Sequence, residues 1–179
     1  VQVCARLADL LRRGGHDIMT DTEVKDIVER NNSLTLVTTA GEFTADYLVN
    51  CAGLHSDRVT KMSAGEAPAR IIPFRGEYFE LMPEAWHLCN ALIYPVPDPN
   101  FPFLGVHFTR MISGGVECGP NAVLAFAREG YHLTDVNAGE LWETLSYPGF
   151  RKLAGRYWKM GLGEMWRSAS KAAFVKALQ

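Results

Sequence analysis

The sequence has 179 residues, of which 47% are hydrophobic and 21% charged, and its formal net charge is −2. This length is sufficient for one ordinary domain or for two small lobes with hydrophobic cores. The basic residues are scattered, which argues against a nucleic-acid partner, and no apolar run reaches the ~20 residues of a transmembrane helix. The four cysteines form no CxxC pair, so neither a metal site nor a disulfide framework is predicted, and a reducing, cytoplasmic location is expected.

Both ends of the chain lie inside predicted helices. The sequence does not begin with methionine, and it ends in the helical pattern SKAAFVKALQ. The first residues carry charges and lack a small-residue cleavage site, unlike a signal peptide. We therefore expect a piece of a longer protein.

The first 50 residues predict a helix followed by a small sheet. Apolar residues at helical spacing predict an amphipathic helix over residues 2–13, ended by Gly14-Gly15. A short strand is expected at residues 17–20, and two longer strands around the turn Asn31-Asn32. The next strand alternates at first and then becomes continuously apolar at residues 47–49, which is typical of a strand covered on both sides.

A glycine stands where this last strand gives way to a helix, at Ala52-Gly53. Glycine permits close approach of a flat, phosphorylated cofactor to the backbone, but it also suits an ordinary strand-to-helix turn, and spacing alone favours the turn. Ser56 is predicted to cap the helix, and Gly65 to end it. The phosphate-binding fingerprint GxGxxG is absent from the sequence, so a dinucleotide would need its main phosphate site elsewhere.

The segment after Pro73 predicts a second, antiparallel sheet. FRGEYFEL is strand-like, and its Gly76 indicates a bulge or a ligand close to the backbone. FLGVHFTRMI predicts a strand that Ser113-Gly114-Gly115 turns back into VECG as a hairpin, and NAVLAFA predicts a further strand. A rigid loop between FRGEYFEL and FLGVHFTRMI contains four prolines: Pro95, Pro97, Pro99 and Pro102.

Helices predominate from Thr134 onward. Asp135 is predicted to cap the first, and Pro148-Gly149 to separate it from the next. Four aromatic residues fall at helical intervals, which favours core packing over a base-stacking platform: Trp142, Tyr157, Trp158 and Trp166. Strands followed by helices predict an α+β fold, with one domain over residues 1–70 and another over residues 71–179.

The strand FLGVHFTRMI carries most of the candidate catalytic residues. Alternation places His107 and Thr109 on one face and Arg110 on the other, so His107 and Arg110 meet only if a bulge intervenes. Histidine commonly takes up a proton near neutral pH, which suits a base for a substrate hydroxyl, although a hydrogen-bonded core histidine fits the same pattern. Arg75 suits a carboxylate, or is an ordinary surface arginine. No GxSxG motif is present, so a serine hydrolase is not predicted.

Three stretches together resemble the L-2-hydroxyglutarate dehydrogenase/oxidase family, within the FAD-dependent oxidoreductases of the D-amino-acid oxidase type. They are DYLVNCAGLHSDRV, IPFRGEYFEL and LIYPVPDPNFPFLGVHFTRMISGGVECGPNAVLAFAREGY. The third is the most specific, and the resemblance extends from about Val3 to the end of the chain. It implies a remnant of an FAD-binding α/β domain at residues 1–70 and a substrate-binding domain, with an antiparallel sheet and flanking helices, at residues 71–179.

The resemblance also implies a reaction and a set of residues. The 2-hydroxyl of L-2-hydroxyglutarate, a small dicarboxylate, would be oxidised to the 2-oxo acid by FAD, and a quinone or oxygen would then take the electrons. Cofactor contacts fall on Val24, Ala52 and Gly53. His107 becomes the candidate base, Thr109 a hydrogen-bond donor, and Arg75 and Arg110 the candidate carboxylate ligands.

The family's N-terminal GxGxxG segment and its C-terminal glycine-rich segment are missing from the sequence. We therefore expect this chain alone to bind FAD weakly or not at all, and to be inactive. Two other readings stay open, a non-catalytic binding module that kept the sheet and an amine-oxidising flavoenzyme. Peripheral contact with the inner membrane is compatible with the resemblance.

Overall fold

A computed structural model describes residues 1–30, 33–97 and 105–178. They separate into two units, Val1–Ile71 and Ile72–Gln179, which are described one at a time. The predicted turn Asn31-Asn32, the loop residues Pro99 and Pro102 and the beginning of FLGVHFTRMI lie outside the described residues.

The first unit combines two helices with a three-stranded antiparallel sheet of order β1-β2-β3. Its elements are α1 (Gln2–Arg13), β1 (Val24–Arg30), β2 (Ser33–Thr38), β3 (Gly41–Ala45) and α2 (Ser56–Ala64). The predicted helix at residues 2–13 and the two strands that follow are confirmed. Gly65 ends α2 at a φ of +73°, a conformation that favours glycine.

One strand predicted in the first unit is wrong, and another is shorter than predicted. Residues 17–20 form no strand, and β3 ends at Ala45, so the apolar run at residues 47–49 joins no described sheet. Tyr47 is 89% exposed and Val49 81%, against the expectation that this run is covered on both sides. A strand is held by hydrogen bonds to a neighbour, and no described segment pairs with these residues.

The second unit contains a four-stranded antiparallel sheet of order β4-β7-β6-β5, followed by three helices. Its strands are β4 (Phe74–Glu80), β5 (Leu92–Ile93), β6 (His107–Arg110) and β7 (Val116–Leu124). Its helices are α3 (Ala138–Ser146), α4 (Pro148–Ala169) and α5 (Lys171–Leu178). The α+β prediction is confirmed, and among the described residues no helix has the length and apolar character to cross a membrane.

The predicted hairpin is confirmed, but its second strand is longer than expected. Gly114 and Gly115, both at φ +92°, turn β6 into β7, and Met111 N–H donates to Gly115 O. VECG and NAVL then form one strand, not two. The strand continues past Pro120 because β7 bulges there: Glu77 pairs with Asn121 and Phe79 with Cys118, so three steps on β7 face two on β4.

The helical end of the chain differs from the prediction in its caps and its burial. The cap of α3 is Asn137, whose Oδ1 accepts from the N–H groups of Gly139 and Glu140, whereas Asp135 accepts from His132 N–H. Proline is favoured in the first turn of a helix, and Pro148 begins α4 there. The predicted core packing of the tryptophans is wrong: Trp142 is 71% exposed, Trp158 56% and Trp166 66%.

Candidate active site

The four-stranded sheet of the second unit has two chemically different faces. Residues paired across antiparallel strands share a face, and alternate residues along a strand return to it. We call outer face the side with Gly76, Tyr78, His107, Thr109 and Gly119, and inner face the side with Arg75, Glu77, Phe79, Arg110 and Asn121. Phe79 packs against Phe174 of α5, with ring centroids 4.6 Å apart and ring planes tilted by 57°, so α5 packs on the inner face.

His107 is held on the outer face by two contacts. Its Nδ1 lies 3.0 Å from Gly105 O, and its ring stacks on Tyr94 with centroids 4.0 Å apart and planes 18° from parallel. A carbonyl oxygen only accepts hydrogen bonds, so Nδ1 carries the proton and, in the neutral ring, Nε2 carries a lone pair. The side chain is 9% exposed. The arrangement presents one nitrogen that can take up a proton.

Aromatic rings lie on both sides of His107 in the outer face. Gly119 pairs with His107 across β7 and β6, and a Cβ at Gly119 would stand 2.7 Å from Tyr78 Cδ1. The ring of Tyr78 therefore covers Gly119. At Gly76, a Cβ would lie 3.1 Å from Pro120 Cβ and 3.2 Å from Tyr78 Cε2, so two side chains of the chain itself lie close to this backbone, and the bulge of the sheet is on β7.

A buried polar network occupies the inner face. Arg75 Nη2 donates to Glu77 Oε1 at 2.7 Å. Asn121 is fully buried; its Nδ2 donates to Glu164 O at 2.8 Å and to Glu77 Oε2 at 3.4 Å, and its Oδ1 accepts from Arg167 Nε at 3.1 Å. These bonds tie β4 and β7 to α4, which lies beside them.

The pKa values of the two carboxyl groups in this network, Glu77 and Glu164, are shifted in opposite directions. Burial disfavours the charged form of Glu77, but the polar side chains of Ser168, Arg75 and Asn121 beside it outweigh burial and lower the pKa. The Arg75 bond is the shortest, and the Ser168 hydroxyl, although close, falls short of a well-formed hydrogen bond. Burial dominates at Glu164 and raises its pKa, even though Arg167 is paired with it and Ala122 N–H donates to it.

Arg110 contacts Trp86, which precedes β5 in the chain. Its Nη1 donates to Trp86 O at 3.3 Å, and its guanidinium lies 5.9 Å from the centre of the Trp86 ring. The structure thus brings His107 and Thr109 together on the outer face and leaves Arg75 and Arg110 on the inner face. The bulge in this sheet is on β7, so the alternation along β6 is regular, as the sequence indicated.

The glycine corner of the first unit has an open backbone. Gly53 has a φ of +53°, and nothing lies within 4 Å of the position where a Cβ would stand. Ala52 N–H donates to Asn50 Oδ1 at 3.1 Å. The predicted Ser56 cap is wrong: Ser56 is the first residue of α2, and its hydroxyl donates to Gly53 O at 2.7 Å. Val24, the other predicted contact, begins β1 and pairs with Thr38.

An apolar cavity of about 330 Å³ lies in the second unit between α4 and the β4–β7 pair. Its lining includes Phe74, Leu124, Leu153, Trp158 and Met165, and His107 is not part of it. A dicarboxylate has little to bind in such a lining, so the outer face around His107 remains the candidate site. Within the described part of the chain, no group of three or more His, Cys, Asp or Glu side chains could hold a metal ion.

Sequence reasoning missed Tyr78 and Tyr94. Tyr78 had a signal, because it follows Gly76 by two residues on one strand and so shares its face. Tyr94 had none, because its position beside His107 depends on how β5 pairs with β6.

Comparison with known proteins gives the class to which this chain belongs. A profile of the FAD dependent oxidoreductase family matches residues 1–161, and the chain belongs to that family. This confirms the resemblance seen in the sequence.

The similar proteins are more specific. L-2-hydroxyglutarate dehydrogenase of Indibacter alkaliphilus is 52% identical over 178 residues, which are 99% of this chain and 45% of that protein. The mitochondrial L-2-hydroxyglutarate dehydrogenase of Nematostella vectensis is 45% identical over 192 residues, covering 99% of this chain and 42% of that protein. The enzyme of the same name from Escherichia coli K12 is 44% identical, with coverage of 99% and 42%. The chain thus spans less than half the length of these relatives.

Proposed function

We propose that the chain is part of an FAD-dependent enzyme that oxidises L-2-hydroxyglutarate to 2-oxoglutarate. The observation that carries the proposal is the similarity of nearly the whole chain to proteins of that name, at 52% identity in one case. The outer face adds chemical support, because a secondary alcohol needs a base near its hydroxyl and His107 offers the Nε2 lone pair.

The residues of the first unit fit the FAD that the family uses. A flat cofactor beside the backbone needs a position without a side chain, and the open surroundings of Gly53 provide one. Val24, Ala52 and Gly53 would hold it. When bound, FAD supplies the acceptor for the hydride that leaves C2 of the alcohol.

The chain's own part of the reaction is the proton. The hydroxyl proton passes to His107 Nε2 as the C2 hydride departs, and the alcohol becomes a ketone. Gly105 O holds the other nitrogen as its N–H, so the base keeps its orientation while it becomes charged. Thr109, two residues further along the outer face, donates a hydrogen bond to the substrate.

The carboxylate-binding roles of Arg75 and Arg110 stay predictions. Arg75 is 9% exposed and bound to Glu77, and Arg110 is bound to Trp86 O. Both lie on the inner face, opposite His107, so each would have to reach the substrate from that face with N–H groups not used in these bonds. An unchanged Michaelis constant for the substrate in an Arg110→Ala enzyme would exclude that residue.

His107→Gln in the complete enzyme tests the base. We expect flavin reduction by L-2-hydroxyglutarate to slow by ~10²–10⁴-fold, measured by stopped-flow absorbance, because glutamine cannot accept the proton. His132→Gln is the control, since His132 is exposed. A His107→Gln rate within twofold of the wild type would refute the assignment.

The same measurement on the unmodified protein separates the alternative functions. Flavin reduction by a secondary amine but not by the hydroxy acid would show an amine oxidase, and no reduction by either would leave a binding module.

The electron acceptor, a quinone or oxygen, and the location, cytoplasmic or peripheral at the inner membrane, remain proposals. Activity with each acceptor, and fractionation of cells that produce the complete protein, test them.

A further inference from the structure

We propose that Tyr94 is a positioning residue for His107, which selects the imidazole tautomer that can act as a base. The inference rests on the proposed function for its catalytic meaning, but its physical content concerns one pair of rings and can be tested without substrate or cofactor.

The pairing of β5 with β6 places Tyr94 beside His107. Leu92 pairs with Thr109 and Ile93 with Phe108, so Tyr94 and His107 are the next pair in the same register. Cross-strand neighbours stand close enough for their rings to meet. The two rings do stack, with centroids 4.0 Å apart.

The backbone around the pair is shaped for this contact. A Cβ at Gly105 would lie 3.2 Å from Pro95 Cγ, a distance tighter than ordinary contact. Because Gly105 has no side chain, Pro95 packs against its backbone, and Pro95 directly follows Tyr94. The same Gly105 supplies the carbonyl that accepts from His107 Nδ1. Tyr94 therefore fixes the plane of the His107 ring, and Gly105 O fixes one of its nitrogens.

Each contact removes one freedom of the imidazole. The stacked Tyr94 ring prevents the imidazole from turning out to water, so Nδ1 stays on Gly105 O. In water, by contrast, the Nε2-protonated tautomer of histidine predominates, and that form has no lone pair at Nε2. Tyr94 itself is 47% exposed, so the stack is at the surface of the outer face and not in a sealed core.

The experiment uses the 179-residue chain labelled with ¹⁵N-histidine. Imidazole ¹⁵N shifts at a pH where His107 is neutral report which nitrogen carries the proton. We expect Nδ1–H in the wild type and in Tyr94→Phe, which keeps the stack. In Tyr94→Ala we expect a mixture in which Nε2–H predominates. Tyr131→Ala is the matched control, because Tyr131 is a tyrosine of the same unit that is 70% exposed.

A chemical readout accompanies the spectra. Diethyl pyrocarbonate modifies neutral imidazole nitrogens, and mass spectrometry of the His107 peptide gives the rate. We expect faster modification in Tyr94→Ala and no change in Tyr94→Phe or Tyr131→Ala. Circular dichroism establishes that each variant is folded, and Tyr94→Leu replaces Tyr94→Ala if the latter is not.

Several results would overturn the proposal. The first is Nε2–H in the folded wild type, and the second is an unchanged tautomer and modification rate in a folded Tyr94→Ala or Tyr94→Leu chain. Loss of fold in both variants, with no contact between the two rings in nuclear Overhauser spectra of the wild type, would also overturn it, whereas an observed contact with Nδ1–H in the wild type would support it.

The catalytic consequence is measured separately in the complete enzyme. Tyr94→Ala should lower the rate of substrate oxidation by less than the ~10²–10⁴-fold expected for loss of the base, and the effect should fall on kcat more than on the Michaelis constant. Tyr94→Phe should keep the wild-type rate. An enzyme that does not oxidise L-2-hydroxyglutarate would refute the proposed function and leave the tautomer result intact.

Discussion

The buried charges of Arg75 and Glu77 on the inner face depend on each other. The side chain of Arg75 is 8% accessible and that of Glu77 23%. Removing one partner of such a pair leaves the other poorly solvated, so the loss is larger than for a surface ion pair. Arg75 therefore stabilises the fold through Glu77, and any role in binding the substrate would be in addition to this structural role.

The lowered pKa of Glu77 predicts a specific dependence of stability on pH. The carboxylate is favoured in the folded state, so its stabilisation is complete above its ordinary pKa of 4.5 and is lost as the pH falls through the lower, folded-state value. Glu77→Gln should unfold more easily at pH 7, by ~1–3 kcal/mol in urea titrations, and should lose less stability on acidification than the wild type does.

Glu80→Gln is the control, since Glu80 is an exposed residue of the same strand. A Glu77→Gln chain as acid-sensitive as the wild type would contradict the assignment.

Glu164 acts in the opposite sense, because its pKa is raised in the folded state. Its contribution to stability is complete below the unfolded-state pKa and is lost as the pH rises through the folded-state pKa.

At the scale of helices and strands, local signals identified most elements, and contacts distant in sequence decided the rest. α1, β1, β2, β4 and the β6–β7 hairpin follow from periodicity and glycines, which act within a few residues. The alternation of β6 likewise placed His107 and Thr109 on one face. The run at residues 47–49 has the same local signal, yet it forms no strand, because pairing needs a neighbour that periodicity does not supply.

Helix caps show why a local rule can choose the wrong residue. Two good capping residues, Asp135 and Asn137, precede α3, and only Asn137 stands where its side chain reaches the first free N–H groups. Asn137→Ala should destabilise the second unit by ~0.5–2 kcal/mol, measured by thermal unfolding. Asp135→Ala, which loses a bond to His132 N–H, should cost less. The reverse order would show that the sequence prediction was right.

Two glycines of the second unit should respond oppositely to alanine. At Gly119 a Cβ would stand 2.8 Å from Glu77 O, a backbone atom, and 2.7 Å from Tyr78 Cδ1, so Gly119→Ala should destabilise by ~1–3 kcal/mol. Gly155 lies in α4 with nothing within 4 Å, and Gly155→Ala should stabilise by ~0.5–1 kcal/mol. Urea unfolding of both variants measures the difference, and equal effects would contradict the close packing at Gly119.

At the scale of the whole molecule, the chain exposes much apolar surface for its size. Tyr47 and Val49 in the first unit and Trp142 and Trp166 in the second are all more than 60% exposed. Aromatic spacing predicted burial, but burial requires a covering surface, which no pattern within a helix can report. These side chains are candidate contacts for segments that the relatives contain and that lie outside the matched region.

The missing GxGxxG predicts that this chain by itself retains little FAD. Without that segment, the pyrophosphate lacks its helix N-terminus, and the contacts proposed for FAD in this chain are those of Val24, Ala52 and Gly53. After incubation with FAD and desalting, we expect the flavin absorbance bands to correspond to much less than one FAD per chain. Stoichiometric flavin would contradict this, and the longer protein, treated in the same way, is the positive control.

The extra residue in β7 has a consequence for how this sheet tolerates insertions and deletions. Cys118 and Asn121 both lie on the inner face although they are three positions apart, whereas in a regular strand residues three apart lie on opposite faces. A shortening of the strand by one residue at Pro120 would rotate everything beyond it by half a period, exposing Asn121 and Val123 and burying Ala122 and Leu124. Length at this point is thus as constrained as chemistry, and a change that preserves every functional side chain could still dismantle the site.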